Sequence, residues 1–581
     1  MRAVLRKFGK LLDRRQKSRV AILFFVTLIG AFMEVLGVTL MLPLVSAIMV
    51  PDIIETNEAV RWVCNLLDLH SHRTFVIVCI IALIAVFIVK DCFLMLVYYI
   101  QARFVYNNRF ATQQKVLHAF MTRPYEYFLS AKSGEILRVI QGDVGQVFNL
   151  LMILLTMSTE MMVALALVVT IFVVDPAMTC FVAVLLLAVL TVIAKVLRPL
   201  LRREGLALQK HSSLMNKWLL QAINGIKEVK VTNKEAYFEK QYDASGRKAI
   251  RSEKQNAVFG NVPRLLIEMI SVCSMLAVIA VMIYKGRELE TLIPSLGAFA
   301  MAAVKLMPSA NRIVGAMNSI AYSEPALDKL LEDLQILEEP ADAGSCDKMT
   351  DKPEVQLSLQ KDIRLQHVSY RYPSGEKYVL EDAQMCIPVG KSVGIVGKSG
   401  AGKTTAVDIL LGLLAPQEGQ VLSDGVDVMC DYGEWLSHIG YIPQMIFMLD
   451  DSIRANVAFG MEPGDVSDEQ VWRALEEAQL ADFVRSLPEG IDTQIGERGV
   501  RLSGGQRQRI GIARALYTDP ELLIFDEATS ALDNETEAAI MESINSLHGR
   551  KTMVIIAHRL QTIEGCDMVY RVEQGKIRKE R

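Results

Sequence analysis

Long runs of apolar residues dominate the N-terminal part of the chain, whereas the apolar runs in the C-terminal part are shorter. A helix of about 20 apolar residues, rising 1.5 Å per residue, crosses the ~30 Å of hydrocarbon in a bilayer. From about residue 357 onward, short β-like runs alternate with helical patterns, which is typical of an α/β domain. The apolar runs predict six membrane spans, at 20–50, 75–104, 147–174, 176–201, 258–285 and 293–320.

The composition agrees with a membrane part joined to a water-soluble part. Of the 581 residues, 51% are hydrophobic, yet 22% are charged. The net charge of −3 gives no overall basic signal for nucleic acid, and the spans exclude a soluble protein that acts on nucleic acid or ribosomes. The nine cysteines form no CxxC pair, so we expect reduced thiols in the core or facing lipid.

The first 19 residues are strongly basic. Lysines and arginines alternate there with apolar residues at helical spacing, which predicts an amphipathic helix on the inner membrane surface. Basic segments favour the cytoplasmic side of a membrane. The basic connections 105–146 and 202–257 then also fall in the cytoplasm.

The segment 392–410 has the order strand, glycine-rich loop, helix. Gly397, Gly402, Lys403 and Thr404 match the pattern G-x-x-x-x-G-K-[ST], whose backbone N–H groups close around phosphate oxygens. Lys403 brings charge to the β- and γ-phosphates, and Thr404 offers a hydroxyl to Mg²⁺. The sequence therefore predicts an ATP site. Its loop comprises Gly397, Lys398, Ser399, Gly400, Ala401, Gly402, Lys403, Thr404 and Thr405.

Two adjacent carboxylates follow the apolar run 521–525. We expect Asp526 to hold the metal and Glu527 to polarise a water against the γ-phosphate. Neighbouring carboxylates repel each other, so the pair makes sense only beside Mg²⁺ or a bound water. An isolated Asp-Glu pair is equally consistent with a solvated strand end, but the P-loop in the same domain favours the catalytic alternative.

The motif LSGGQ at 502–506 resembles the signature of ABC ATPases. Its glycines precede a helix, and the N-terminus of a helix is suited to binding an anion. The nucleotide-binding residues predicted from this motif are Ser503, Gly504, Gly505 and Gln506.

Other motifs of ABC ATPases stand in the family's order. They are SYRYPSG with Tyr372, YIPQ with Gln444, GERG with Glu497, SALD with Asp533 and IIAHRL with His558. The resemblance implies that Tyr372 stacks on adenine and that Gln444 is the Q-loop residue, close to the metal. It further implies that Asp533 belongs to the D-loop at the nucleotide, and that His558 orients the γ-phosphate.

The resemblance covers the whole chain and implies an exporter half-transporter: a six-span membrane domain followed by an α/β P-loop NTPase. Each chain holds one P-loop and one signature, so two ATP sites require a partner, most simply a second copy. Breakers at 124–137 and 224–238 would be coupling helices that pass ATP-driven motion to the spans. The predicted domains are an N-terminal amphipathic helix (1–19), a transmembrane domain (20–324), a linker (325–356) and a nucleotide-binding domain (357–581).

Ionisable residues in or near the spans indicate what is moved, because charge at mid-bilayer is costly. We predict that basic residues line a common cavity for an anionic substrate. A second interpretation is that some of them lie in cytosolic extensions of the helices and are simply solvated. The candidate substrate-binding residues are Lys90, Arg264, Lys305 and Arg312.

Local ion pairs are the competing explanation for these charges. Arg264 and Glu268 are four residues apart on one helix face, so each would neutralise the other. Asp91 points ~100° away from Lys90 around the helix, which makes it a poor partner. Neither Lys305 nor Arg312 has an acidic residue three or four positions away.

The basic positions, together with EVLGVTLMLPLV at 34–45, resemble bacterial flippases of the PglK type. In that family, basic residues on the same three spans contact the pyrophosphate of a polyprenyl-linked glycan. An external helix, matching 57–69 here, receives the polyprenyl tail. The resemblance implies ATP-driven flipping of an anionic lipid-linked oligosaccharide across the bacterial inner membrane. A general lipid, drug or peptide exporter, and a non-transporting ABC switch or channel, remain alternatives.

Overall fold

A computed structural model of the chain forms two compact units. One comprises Met1–Thr122 and Ala131–Glu339, and the other comprises Arg123–Ser130 and Pro340–Arg581. The first is helical and the second contains two sheets with helices, which confirms the predicted order of a helical domain followed by an α/β domain. The structure describes residues 2–40, 72–131, 133–174, 176–284, 289–338, 357–373, 375–527, 542, 544, 546–557 and 563–581.

Long helices make up the first unit, and short helices lie between some of them. One of the short helices, α4, belongs to the second unit. A π-helical turn at Arg138–Asp143 separates α5 from α6. In chain order the helices are α1 (Arg2–Leu11), α2 (Arg14–Thr39), α3 (His72–Met121), α4 (Tyr125–Ser130), α5 (Ser133–Leu137), α6 (Val144–Val174), α7 (Pro176–Asn224), α8 (Ile226–Thr232), α9 (Glu235–Tyr284) and α10 (Leu289–Glu338).

Several of these helices are long and apolar enough to cross a membrane. Within the residues that the structure describes, length and composition identify three such segments, at Arg14–Glu34, His72–Met121 and Gly134–Ala166. They correspond to the first three predicted spans. The other three spans, and hence the count of six, stay predictions.

The N-terminal amphipathic helix is shorter than the predicted 1–19. Helix α1 ends at Leu11, and α2 begins at Arg14. The Asp13 N–H donates to the Gln16 side-chain oxygen at 2.9 Å, as in half of a capping box, so a new helix starts there. Val4 and Phe8 of α1 are buried within the protein, whereas the sequence predicted a helix lying on the membrane surface.

The predicted linker at 325–356 begins too early. Helix α10 continues to Glu338, so 325–338 is helical, and the rest of the predicted linker lies outside the described residues. Lys329 pairs with Asp333 at 3.0 Å, a helix-stabilising i,i+4 contact. Leu327 and Leu330 are fully buried on the same helix. The acidic composition therefore marked the outer face of a helix here, not a loop.

Short helices occupy both predicted breakers. Helix α8 follows Gly225 and ends at Asn233, whose left-handed φ of 52° stops the helix. Helix α4 follows Pro124 and groups with the α/β unit, although its sequence neighbours α3 and α5 belong to the helical unit. The role of α4 and α8 as coupling helices stays a prediction.

Two sheets form the framework of the second unit. The antiparallel sheet has the order β2-β1-β4-β5. The larger sheet has the order β10-β9-β3-β8-β7-β6 and is parallel except for the β9–β10 pair. The strands are β1 (Asp362–Tyr370), β2 (Leu380–Pro388), β3 (Ser392–Val396), β4 (Glu418–Ser423), β5 (Val426–Asp427), β6 (Ile439–Ile442), β7 (Leu522–Asp526), β8 (Thr552–Ile556), β9 (Met568–Glu573) and β10 (Lys576–Lys579).

The remaining helices of this unit bury their apolar faces in two clusters. One cluster lies around α11 and includes Val407 and the fully buried Trp435, whose indole N–H donates to the Leu410 carbonyl at 3.1 Å. The other lies around α16 and includes Ile510 and Phe525. These helices are α11 (Lys403–Leu410), α12 (Tyr432–Ser437), α13 (Ile453–Val457), α14 (Asp468–Glu477), α15 (Ala481–Ser486) and α16 (Gly504–Leu516).

Arg514 ties the end of α16 to the segment that follows Gln444. Its guanidinium donates to the Asn456 carbonyl at 2.8 Å, to the Phe447 carbonyl at 2.9 Å and to the Asn456 side chain at 3.2 Å. Burial lowers the pKa of Arg514 to about 10. Asn456 is completely buried, so few waters are available to replace these bonds.

We expect Arg514→Ala to destabilise the α/β unit. The change removes the guanidinium that donates to the buried Asn456, a loss of about 2 kcal/mol or more for bonds from a charged group. The measurement is the midpoint of thermal unfolding of the detergent-solubilised protein. Arg578→Ala, at an exposed position of β10, is the control. Equal midpoints for the two variants would contradict the argument.

Candidate functional site

The glycine-rich loop after β3 is shaped for close approach of phosphate. A Cβ at Gly397 would lie 2.4 Å from the Val572 carbonyl oxygen, so only glycine fits there. Gly402 has a φ of 105°, which disfavours any side chain, and it immediately precedes α11. The loop therefore presents bare backbone at the N-terminus of a helix, which is a site for anions.

The side chain of Lys403 is buried under this loop. Its Nζ donates to the Gly397 carbonyl at 3.1 Å and to the Lys398 carbonyl at 3.3 Å. These bonds hold the ammonium at the position where the loop encloses phosphates. Around it lies a cavity of about 430 Å³. The cavity is lined by Tyr372, Val379, Ser399, Gly400, Gly402, Lys403, Thr404, Thr405, Gln444 and Glu527.

Gln444 and Glu527 meet on one side of this cavity. The Gln444 side-chain N–H donates to Glu527 Oε2 at 2.8 Å. Glu527 follows β7 directly with a left-handed φ of 49°, and its N–H donates to the Ile556 carbonyl at 3.1 Å. Residues 83 positions apart in the sequence thus meet at one corner of the cavity.

Asp526 is the buried last residue of β7. It accepts a hydrogen bond from the hydroxyl of Tyr441 on the neighbouring β6. Burial raises the pKa of Tyr441, and the charge of Asp526 raises it further, so the phenol stays a donor.

Asp408 is a buried acidic residue near the site that the motif analysis missed. It lies on α11, five residues after Lys403. Burial, and then the charge of Asp526, raises the pKa of Asp408 to about 6. An acidic residue among the apolar residues at the end of the P-loop helix was the available signal, but its proximity to Asp526 follows from the fold alone.

Tyr372 lies at the mouth of the cavity. Its hydroxyl is 3.1 Å from Thr405 Oγ1, and its ring packs edge-on against Tyr370 with centroids 5.1 Å apart. The predicted adenine-binding residue therefore lies beside the phosphate loop.

The signature residues begin a helix, as predicted. The Ser503 hydroxyl accepts from the Gln506 N–H at 3.2 Å, and the Gln506 side-chain oxygen accepts from the Ser503 N–H at 2.8 Å. This reciprocal cap fixes the start of α16, where Gly504 is exposed and Gly505 is buried. In the described part of the chain, none of these four residues lines the P-loop cavity.

Some predicted residues cannot be placed. Asp533, His558 and the segment 57–69 lie outside the residues that the structure describes, and so does the side chain of Lys305. Their roles stay predictions.

Two of the candidate substrate-binding cations have acidic partners, which corrects the expectation that they are unpaired. Lys90 Nζ lies 3.0 Å from Asp91 Oδ1, because its long side chain bends back along α3, and it also lies over the Phe87 ring. Arg312 on α10 pairs with Glu160 on α6 at 2.6 Å, a contact between helices that spacing within one helix does not reveal.

The surroundings of Arg264 differ from those of Lys90 and Arg312. Its side chain and that of Glu268 are exposed, and within the described residues no ion pair joins them. The predicted neutralisation of Arg264 by Glu268 is therefore absent here. Arg312 also keeps 62% of its side chain exposed, whereas Lys90 keeps only 10%.

Known proteins share both units. The family described as ABC transporter transmembrane region matches residues 4–301, and the one described as ABC transporter matches residues 380–530. The chain therefore belongs to the ABC transporters. It is an ATP-hydrolysing membrane protein of the exporter half-transporter type, with one transmembrane region and one ATPase domain.

Individual relatives agree with this assignment. The chain is 30% identical over 472 residues to the ATP-dependent lipid A-core flippase of Ralstonia nicotianae, covering 80% of this chain and 77% of the relative. The flippase of the same name from Cupriavidus metallidurans is 30% identical over 471 residues, with 80% and 76% covered. A solved bacterial Atm1-family ABC exporter with ATP bound has the same fold, with a TM-score of 0.75, 21% identity and 97% and 94% of the chains covered.

We expect Asp408→Asn to stabilise the nucleotide- and metal-free protein at pH 7.5 much more than at pH 4. A raised pKa means that the folded state favours protonated Asp408, so its contribution to stability is complete below about pH 4 and lost as the pH rises through 6. At pH 7.5 the wild type carries a buried charge that asparagine removes. The thermal midpoint in EDTA should rise by a few degrees.

Asp567→Asn is the contrasting control. The Ser392 N–H holds the pKa of Asp567 below its usual range, so this change should lower the midpoint at pH 7.5. If Asp408→Asn has the same effect at both pH values, the charge of Asp408 is not the cause.

Proposed function

We propose that two copies of this chain form an exporter that uses ATP and Mg²⁺ to flip an anionic lipid across the bacterial inner membrane. The observation that carries the proposal is the single cavity in which Lys403, Gln444 and Glu527 converge. That ATPase site is joined in one chain to a transmembrane region, and the relatives compared above are named as lipid flippases.

The residues at the site fit Mg²⁺. Thr404 offers a hydroxyl, Asp526 a carboxylate and Gln444 a side-chain carbonyl, and such oxygen donors are what Mg²⁺ prefers. The hydrogen bond to Glu527 uses the amide nitrogen of Gln444, whereas a metal would take its oxygen. When bound, the ion neutralises charge on the phosphates.

Hydrolysis then depends on residues of this chain. Lys403 and the loop N–H groups bind the phosphates, and Tyr372 takes the adenine ring on its face. Glu527 takes a proton from the attacking water, after release from Gln444, and His558 orients the γ-phosphate. These roles agree with the family resemblance and with the placement of Lys403, Glu527 and Gln444 around one cavity.

A second copy of the chain would supply the signature residues that are absent from the lining of the cavity. The capped N-terminus of α16 presents backbone N–H groups suited to phosphate, but Ser503–Gln506 are absent from the lining of the described cavity. In a homodimer the signature of each chain closes on the P-loop of the other. Closure driven by ATP and reopening after hydrolysis move the transmembrane regions.

The finer substrate proposal is a lipid-linked oligosaccharide with a pyrophosphate. Arg312 and Arg264 are the strongest candidates to bind it, because both are exposed cations on helices of the transmembrane unit. Lys90 contributes less, since it is buried against Asp91. A lipid of the kind named in the relatives, lipid A-core, is the competing substrate, and general lipid, drug or peptide export is the second function considered.

Glu527→Gln tests the ATPase mechanism. Glutamine keeps the shape and an acceptor for the Gln444 amide but cannot take a proton. We expect ATP hydrolysis to fall at least ~100-fold, the usual contribution of a general base, while ATP still binds. Phosphate release and ATP binding are measured on the same purified protein.

Glu573→Gln, at an exposed position of β9, is the matched control and should leave both quantities unchanged. Hydrolysis that persists in Glu527→Gln would show that Glu527 is not the base.

Reconstituted vesicles test the direction of transport and the substrate. ATP-dependent movement is measured separately for a fluorescent polyprenyl-pyrophosphate glycan, a lipid A-core glycolipid and a neutral apolar dye. We expect the double variant Lys305→Gln/Arg312→Gln to lower movement of the preferred anionic lipid at least ~10-fold, because two contacts to phosphate are lost.

Lys210→Gln, an exposed cation farther along α7, is the control. Faster movement of lipid A-core than of the glycan would replace the finer substrate proposal. Movement of the neutral dye alone, unaffected by the double variant, would favour the general exporter.

A further inference from the structure

Helix α4 carries a carboxylate into the ATPase unit. The chain leaves the helical unit after Thr122, forms α4 and returns to it at Ala131. Glu126, in the first turn of α4, accepts a hydrogen bond from the Tyr370 hydroxyl at 2.6 Å. A short O–H···O⁻ bond to a charged acceptor is among the stronger hydrogen bonds in proteins.

Tyr370 is buried and its backbone is fixed by strand pairing, so only its hydroxyl needs a partner from outside the strands. It is the last residue of β1, opposite Leu380 of β2, and no part of it is exposed to solvent. The Val379 N–H donates to its carbonyl at 2.8 Å. A buried phenol needs a partner for its hydroxyl, and Glu126 provides it. Burial, and then the bond to Glu126, raises the pKa of Tyr370, which keeps the hydroxyl protonated as the donor.

The ring of Tyr370 packs against the ring of Tyr372. The two rings meet edge to face, with centroids 5.1 Å apart and planes at 86°. The hydroxyl of Tyr372 reaches Thr405 Oγ1 at 3.1 Å, one residue beyond the metal-binding candidate Thr404. A continuous set of contacts thus runs from Glu126 through Tyr370 and Tyr372 to the phosphate loop.

A second residue of α4 lies beside the same elements. Burial raises the pKa of Tyr125, and the charge of Asp408 and the nearby Tyr372 raise it further. Helix α4 therefore neighbours the P-loop helix α11 at Asp408 as well as the end of β1. The hydrogen bond between Glu126 and Tyr370 is the direct contact that joins α4 to these elements.

We propose that Glu126 is a positioning residue for nucleotide binding: through the Tyr370 hydroxyl it holds Tyr372 in the orientation that receives adenine. The inference rests on the proposed role of Tyr372 at the adenine ring. The phosphate contacts of Lys403 do not involve this set. The orientation of Tyr372, and with it the affinity for adenine, therefore depends on α4. In the sequence this helix follows α3 and precedes α5.

Comparison of two ligands separates this role from a general effect on the fold. ATP engages both Tyr372 and the phosphate loop, whereas inorganic tripolyphosphate engages the loop alone. We expect Tyr370→Phe and Glu126→Ala each to weaken ATP binding ~5-fold or more, as is common for coupled sites, with binding of tripolyphosphate unchanged. Both ligands are measured on the full-length protein in nanodiscs, by direct calorimetric titration.

The double variant and a conservative variant sharpen the result. If Glu126 acts through Tyr370, the double variant Glu126→Ala/Tyr370→Phe should be no weaker than the worse single variant. Glu126→Gln, which keeps an acceptor for the hydroxyl, should recover most of the ATP affinity. Tyr378→Phe, a phenol exposed at 45%, is the matched control and should behave as wild type.

Tyr372→Ala distinguishes this inference from the proposed site. If Tyr372→Ala leaves ATP binding intact, the adenine role itself is wrong. If Tyr372→Ala weakens ATP binding but Tyr370→Phe and Glu126→Ala do not, only the positioning role fails. Equal losses for ATP and tripolyphosphate, or additive losses in the double variant, would also overturn it.

Discussion

Parallel pairing of β3, β8 and β7 is the constraint on which the ATP site depends. Ile556 of β8 is opposite Ile395 of β3 on one side and Asp526 of β7 on the other. The phosphate loop and the Asp526–Glu527 pair therefore leave the sheet at one level, two strand spacings or ~10 Å apart. A metal-bound triphosphate spans that separation, whereas phosphate alone does not.

The adjacent strand β6 leads Gln444 to the same edge of the sheet. Ile442 of β6 is opposite Phe525 of β7, so Gln444 and Glu527, each two residues further on, reach the same corner. Their hydrogen bond occupies the carboxylate that takes a proton in the proposed mechanism. Because the bond uses the amide nitrogen of Gln444, the amide oxygen is left to face other groups in the cavity.

The sequence identified several residues that the fold gathers around one cavity, but it did not identify the ionic contacts, for physical reasons. Phosphate chemistry demands particular residues at fixed spacing, so Lys403 and Glu527 are recognisable without a structure. An ion pair such as Arg312–Glu160 joins helices far apart in sequence, and Lys90 reaches Asp91 only by bending its flexible side chain. Helix ends were misplaced where charged residues, as on α10, cover the outer face of a helix and not a loop.

The pair formed by Glu160 and Arg312 bears on which anions the proposed exporter would select. Glu160 is largely buried, so an anionic ligand that displaces it from Arg312 leaves a carboxylate in a poorly solvated place. A headgroup with one negative charge would gain a contact with Arg312, but Arg312 would lose its contact with Glu160. In the proposed site, a pyrophosphate would therefore need a second cation besides Arg312 for the exchange to become favourable. Such a site would discriminate by the number of charges on the ligand rather than by their sign alone.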